Sequence, residues 1–590
     1  MKKVNAILLL LALTSMSTNA ADIYVSAAYT NTDANGSKAK PYKELHTALS
    51  VADANDVIHM AEGKYLPQTD AVNGERYSTF VINKNMQIKG GYSADFETDE
   101  PENYPTILSG DLDGNDFYDP VLGIASSNEN NSYHVITVNE GATLSLEGLT
   151  IQGGNANLND VAGKPKSQNG GGIFSLGALK LENVIVTGNS NAGKPGAGIY
   201  SNANIEANKV SFLGNKSGND GGGLYVKNGI ATVTNCMFVG NEADSGGGAM
   251  MIGGTTGTYI ANNTFYWNTT SRYGTCSLYG AGNETTVVLV NNTFVNNDIS
   301  SATNKNNGGG GAVYVNWGGN VYLVNNTILG NKTLDGTDTG EGGAVYSRAG
   351  NLFLANNVIA GNFAPDGEDI YHNGGEQQIT SLGYNVYTYG GVVSAFIDPD
   401  KDITLGTNKA TGLALLAQIF DGNATAYVFE AEATNNGGTT ETVKINDATV
   451  SIATGKTIAC LPATQLSEAT LNTDLNNDGD LEDVLNTDQR GENRNLTGKA
   501  CIGAYDYYSI ETGANPVSVS GRHILSLYNK QLHVNGTADF VCTVYDVSGK
   551  KQIEKRQKGS FNLNLSSLPQ GVYIVRVNYP GAETVRKIIL

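Results

Sequence analysis

The chain has 590 residues, with 57 Asp and Glu against 37 Lys and Arg, a formal charge of −20, and 73 Gly against 13 Pro. That acidity argues against nucleic acid or an anionic membrane surface as partner. Glycine without matching proline argues against collagen and for many tight backbone turns, and five scattered cysteines with no CxxC pair argue against a zinc ribbon or a redox motif.

The chain opens as a signal peptide over residues 1–20. Lys2 and Lys3 are its positive start, residues 7–13 its apolar run, and Thr18-Asn19-Ala20 its small-residue cleavage site. That run is too short to cross a bilayer, and no later stretch approaches roughly 18 uninterrupted apolar residues, so no transmembrane segment is expected. Residues 21–130 read as an N-terminal cap and first coils. Ile23-Tyr24-Val25 is a strand, and a short amphipathic helix follows with Leu45, Ala48, Leu49 and Ala52 on one face. Further strands fall at Val57-Ile58, Phe80-Val81-Ile82, Gln87-Ile88-Lys89 and Thr106-Ile107-Leu108. This order is similar to the start of pectate-lyase-like helices, in which a helix plugs the open core.

Residues 131–380 repeat themselves. A glycine-rich anchor recurs before an apolar residue, as in Gly170-Gly171-Gly172-Ile173, Gly221-Gly222-Gly223-Leu224 and Gly310-Gly311-Ala312-Val313. Three places after an apolar residue stands an asparagine: Asn189, Asn215, Asn241, Asn268, Asn297, Asn331 and Asn362, spaced 26, 26, 27, 29, 34 and 31. A drifting period near 26 with short Val/Ile/Thr/Tyr/Phe runs means one coil of a β-solenoid, about three strands per coil. The expected fold is all-β: a right-handed parallel β-helix, pectate-lyase-like, followed by a small C-terminal β-sandwich. Stacked coils would align the seven asparagines at a corner, where they tolerate a left-handed conformation and bond one another in a ladder. Tyr200, Tyr225, Tyr314 and Tyr346 follow the glycine anchor at a similar offset. Alternation would point them outward as a ligand-facing column, or as cover under a loop.

The pairing of Gly-Gly-Ala-Val with Phe238-Val239-Gly240-Asn241 and Phe294-Val295-Asn296-Asn297 resembles the repeats of polymorphic outer-membrane proteins, a family that includes adhesins. Residues 381–506 read as the C-terminal end of the helix. There Ser381-Leu382-Gly383-Tyr384-Asn385, Asn435-Asn436-Gly437-Gly438-Thr439, Asp488-Gln489-Arg490-Gly491 and Ile502-Gly503-Ala504-Tyr505 resemble the choice-of-anchor Q surface proteins. After a linker over residues 507–518, residues 519–590 carry ten Lys/Arg against four Asp/Glu. Val544-Tyr545-Asp546-Val547-Ser548-Gly549-Lys550 and Leu568-Pro569-Gln570-Gly571-Val572-Tyr573 are similar to the C-terminal sorting domain of type IX secretion. The resemblance implies an outer-membrane or extracellular location and the secretion machinery as a partner.

Chemistry is sparse. Calcium is the one candidate cofactor, at Asp474, Asn476, Asp478, Asp480 and Asp483, which offer oxygens at alternate positions as an EF-hand loop does. The twelfth place is Leu485, and Asx turns are the alternative. Residues 111–116 are a shorter version. Asn486-Thr487-Asp488 superficially resembles a polygalacturonase motif, but its partner motifs are missing and the six histidines are isolated. No complete catalytic constellation is found. Arg272, Lys332 and Arg348 are candidates to face a groove. Bridges Cys236–Cys276 or Cys460–Cys501 stand against buried free thiols. The function expected is a binding or structural, adhesin-like role toward a glycan or a surface protein; the rival is a polysaccharide lyase or glycoside hydrolase.

Overall fold

The computed structural model describes residues 20–506, apart from 119–124, 164, 167, 281–283, 300–307, 334–339, 374–377, 391–395, 451–455, 459–486 and 495–500. In the C-terminal unit it describes 525–528, 531–534, 539–546, 550–558, 561–565, 567–569, 572–579 and 582–589. Residues 1–19 of the expected signal peptide, and Asp474, Asn476, Asp478, Asp480 and Asp483, the candidates for calcium, lie outside the described residues.

One coil illustrates the rest. Ile173–Ser175, Ala178–Glu182, Ile185–Thr187 and Ser190–Asn191 are four short strands. The next coil lays Ile199–Ser201, Ile205–Asn208, Ser211–Leu213 and Lys216–Ser217 parallel to them and in register. Repetition builds three parallel sheets, of 18, 12 and 7 strands, wound as a β-helix. The two-residue fourth strand escapes sequence patterning because it is too short to alternate. Elsewhere alternation works: Leu179 and Leu181 are buried while Lys180 between them is exposed. Inside, Phe212, Phe238, Phe265 and Phe294 stack coil on coil with ring centroids 4.5, 4.9 and 4.4 Å apart.

The corner expected at the ladder asparagines lies one residue earlier. Gly188, Gly214, Gly240, Trp267, Asn296, Gly330 and Gly361 take the positive φ, and none of the seven asparagines does. A backbone already turned by its neighbour leaves each asparagine side chain free to point inward. A second left-handed column, Asn183, Lys209, Asn235, Asn262, Asn291, Asn325 and Asn356, makes the corner between the 18- and 12-stranded sheets.

At the N-terminus the helix Leu45–Val51 buries Leu45 and Ala48 against the first interior residues. Strands Val386–Tyr389 and Ile403–Gly406 end the 12-stranded sheet. The chain then doubles back along the outside. Helix Lys409–Ile419, opened by a capping box between Asn408 and Thr411, buries Leu413, Leu416 and Ile419 against outward residues Val358, Val386 and Ile403. So residues beyond 406 cover a face of the solenoid as well as following its end.

Cys236, Cys276, Cys501 and Cys542 are free and buried, so the Cys236–Cys276 bridge is not formed; Cys460 lies outside the described residues. The Cys236 thiol instead donates to the Ala207 and Thr234 carbonyls. The C-terminal unit is antiparallel, with sheets of three and four strands and its own core of Leu532, Phe540, Cys542, Val544, Leu563, Val575 and Val577. Among the described residues no helix is long and apolar enough to cross a membrane.

Candidate functional site

The seven asparagines form an unbroken ladder. Each Oδ1 from Asn215 to Asn362 accepts from the backbone N–H and the side-chain amide of the asparagine one coil earlier, at 2.9–3.1 Å. The spare amide hydrogen reaches back to a carbonyl, as from Asn241 to Phe212 at 2.9 Å. Every polar atom is satisfied, which a buried amide requires. A second ladder starts at Asn263 and runs through Asn292, Asn326, Asn357 and Asn385. Sequence reading missed it, although the doublets Asn262-Asn263, Asn291-Asn292, Asn325-Asn326 and Asn356-Asn357 signal it; the equivalent earlier positions are the apolar Val184, Val210 and Cys236.

Both ladders end on aspartate. Asp369 Oδ1 accepts from Asn362 N and Nδ2, and its Oδ2 from Thr388 N; Asp402 Oδ1 accepts from Asn385 in the same way. A carboxylate closes a ladder because it accepts on both oxygens and brings no donor that needs a further coil. Burial pushes the Asp369 carboxyl up to about 6, against about 3.9 for a free side chain. The native state therefore binds more protons than the unfolded chain between about pH 4 and 6, and stability falls as pH rises through that window. Thermal unfolding at pH 4.5 and 7 should show this slope in the wild type and a flatter one in Asp369→Asn; equal slopes would contradict the assignment.

The tyrosine column is outward but not open. Tyr200 stacks between Phe174 and Tyr225 at 5.5 and 5.7 Å, and Tyr346 between Tyr314 and Tyr371 at 5.3 and 5.4 Å. Stacking uses the ring faces a sugar would need, and Tyr314 and Tyr346 have no exposed surface. Tyr200, Tyr225, Tyr314 and Tyr346 thus pack along a seam of the helix, one of the two placements expected for them. Nor do Arg272, Lys332 and Arg348 stand in a groove together. Arg272 lies over the Tyr273 ring, Lys332 faces Glu430 at 3.7 Å, and Arg348 donates to the Tyr314 hydroxyl at 3.3 Å. In the 111–116 loop, Asp111 pairs with Lys64 at 2.6 Å, and Asp113 and Asp116 accept from Asn115 and Asn131. Each of these three carboxylates thus has a partner within the fold.

The open site lies on the 12-stranded sheet. The first residues of its strands form one outward column in register: Thr150, Ile185, Ser211, Met237, Thr264, Thr293, Thr327, Val358, Val386 and Ile403. From Thr264 onward the returning chain covers it. The Thr264 hydroxyl donates to the Glu441 carbonyl. Gln489 Nε2 donates to Thr264 Oγ1 at 3.0 Å and Thr440 Oγ1 at 2.9 Å, while its Oε1 accepts from Thr293 Oγ1 at 2.6 Å. Ala504 N donates to Thr327 Oγ1 at 2.9 Å. Asp488, the residue with the polygalacturonase-like neighbours, is buried and bonds Arg490 at 2.6 Å, so it acts as a clasp within this cover.

Before Thr264 the column is uncovered. Thr150, Ile185, Ser211 and Met237 are the floor of a groove of about 650 Å³. Asp99, Pro101, Glu102 and Pro105 wall one end, and residues 437–439 and 490–492 the other. Glu147, Glu182, Asn183, Lys209 and Asn235 line the corner. Glu147 pairs with Lys89 at 2.8 Å and Glu182 with Lys209 at 3.0 Å. Burial, and then the Glu147 carboxylate, push the Asp99 carboxyl up. A second cavity, of about 570 Å³, lies among Tyr77, Phe80, Tyr133, His134 and Phe174.

Comparison with known proteins adds one firm assignment. Residues 528–590 match the family model described as the secretion system C-terminal sorting domain. No curated protein matches the chain significantly. The sorting domain marks the protein for export to the cell surface or extracellular space and implies contact with the type IX secretion machinery.

Proposed function

We propose that the protein is an adhesin-like binding protein, held at the cell surface, that takes its ligand in the groove over Thr150, Ile185, Ser211 and Met237. One observation carries this reading: a single outward column is covered along its C-terminal part and open over four coils, where polar groups converge on a partly apolar floor. The likeness of the repeats to polymorphic outer-membrane proteins, which include adhesins, supports the same role. The rival, a polysaccharide lyase or glycoside hydrolase, would work in this groove with Asp99 as its acid. Hydrolysis needs a second carboxylate for the water or the sugar; Glu147 and Glu182 are engaged with lysines, and Glu102 and Glu492 are the groove's other carboxylates.

Filling the groove tests the proposal. Cells displaying Ser211→Trp should adhere to a target cell layer at least tenfold less than cells displaying the wild type. Equal adhesion would overturn the reading. So would release of sugar products from a polysaccharide panel that Asp99→Asn abolishes.

A further inference from the structure

The groove and its covered continuation are one surface, and the continuation already holds polypeptide. Six contacts show what that surface grips. Asn291 Nδ2 donates to the Thr487 carbonyl at 3.2 Å and Asn296 Nδ2 to the Ala431 carbonyl at 2.8 Å. Gly503 N donates to the Asn356 carbonyl at 3.0 Å, and Ala504 N to the Thr327 hydroxyl at 2.9 Å. The Thr264 hydroxyl donates to the Glu441 carbonyl, and the Thr440 hydroxyl to the Asn262 carbonyl at 2.9 Å. Five of these six engage the main chain of the covering segment. The grip on the main chain comes from corner amides, corner carbonyls and strand hydroxyls at positions that return with each coil, and the Gln489 and Arg494 side chains of the occupant add to it.

The same groups recur in the open coils. Asn183 and Asn235 hold the corner positions of Asn262 and Asn291. Thr150 and Ser211 hold the strand positions of Thr264 and Thr293. Asn235 already receives the end of the cover, bonding Thr439 at 3.2 Å.

We infer that the groove takes an extended polypeptide segment of a partner protein, laid end to end with the chain's own covering segment. This rests on the groove being the ligand site, as proposed above. Four coils at about 4.8 Å span about 15 Å, the length of about five extended residues. The lining has Asp99, Glu102, Glu147, Glu182 and Glu492 against Lys209 and Arg490, so the segment carries Lys or Arg beside small apolar residues that sit over Ile185 and Met237.

The test sets a phage library of random heptapeptides beside an oligosaccharide array, both on the full chain. Peptides rich in Lys or Arg should enrich on the wild type. Their binding should fall at least tenfold on Ser211→Trp, which fills the groove, and on Thr150→Lys, which repels a basic segment. Both variants should keep the wild-type unfolding midpoint, and Thr150→Lys serves if the tryptophan disturbs folding. Groove-dependent binding of oligosaccharides without peptides overturns the polypeptide inference and leaves the groove as the site. Groove-dependent binding of neither class overturns both.

Discussion

Replacing Arg494 with alanine should release the covering segment from the solenoid at a cost of about 3–5 kcal/mol, the range for removing one member of a buried charge cluster. Arg494 is only 2% exposed. Its guanidinium donates to the Cys501 carbonyl at 2.8 Å, the Gly503 carbonyl at 2.7 Å, the Thr487 carbonyl at 3.2 Å and the Asn291 side chain at 3.3 Å. It thus ties two strips of the cover, around residues 487 and 503, to a corner of the helix. Without it these acceptors are left buried beside Asp488 and Asp506, whose charges it balances. Hydrogen exchange should speed up at Gly503 and Ala504 while interior amides such as Phe238 stay protected, because solenoid coils are stabilised by their neighbours. Unchanged exchange at Gly503 would show that the cover does not depend on this residue.

Asn241→Leu should be comparably damaging. Asn241 Oδ1 accepts from Asn215 N at 3.1 Å and Nδ2 at 3.0 Å; its Nδ2 donates to Asn268 Oδ1 at 3.0 Å and Phe212 O at 2.9 Å. Leucine would remove four hydrogen bonds in a site with no exposure. At about 1 kcal/mol net for each bond, the loss is about 4 kcal/mol. Asn241→Asp should also destabilise, because a carboxylate has no hydrogen to give Asn268. Denaturant unfolding with exchange readout checks both. A midpoint shift below the equivalent of about 1 kcal/mol in either would contradict the ladder's energetic role.

The solenoid was legible in the sequence because its interior is periodic. Residues such as Phe238 and Asn241 repeat once per coil, and each repeat sees the same surroundings. What was misread or missed depends on contacts without that period. Alternation correctly sent Tyr314 and Tyr346 outward, but direction is not exposure, and their own stacking and Tyr273 cover them. Helix Lys409–Ile419 carried a local signal in Asn408, Thr411 and the spacing of Leu413, Leu416 and Ile419. The groove had no local signal. Its open and covered parts share one register, and what separates them is a segment 177 to 225 residues further along at these contacts, placed by side chains such as Gln489 and Arg494. Export was legible because the tail is a separate unit with its own composition.

That separation makes a division of labour between a β-helix body and a tail that carries the export signal. The helix core and the core around Phe540, Val544 and Val575 share no residue, and each coil draws its stability from its neighbours. Deleting residues 519–590 and fractionating the cells tests this division most directly. The account predicts that the truncated chain is retained inside the outer membrane, with the circular dichroism and unfolding midpoint of an intact β-helix once purified. Normal surface display without the tail, or an unfolded helix, would contradict it.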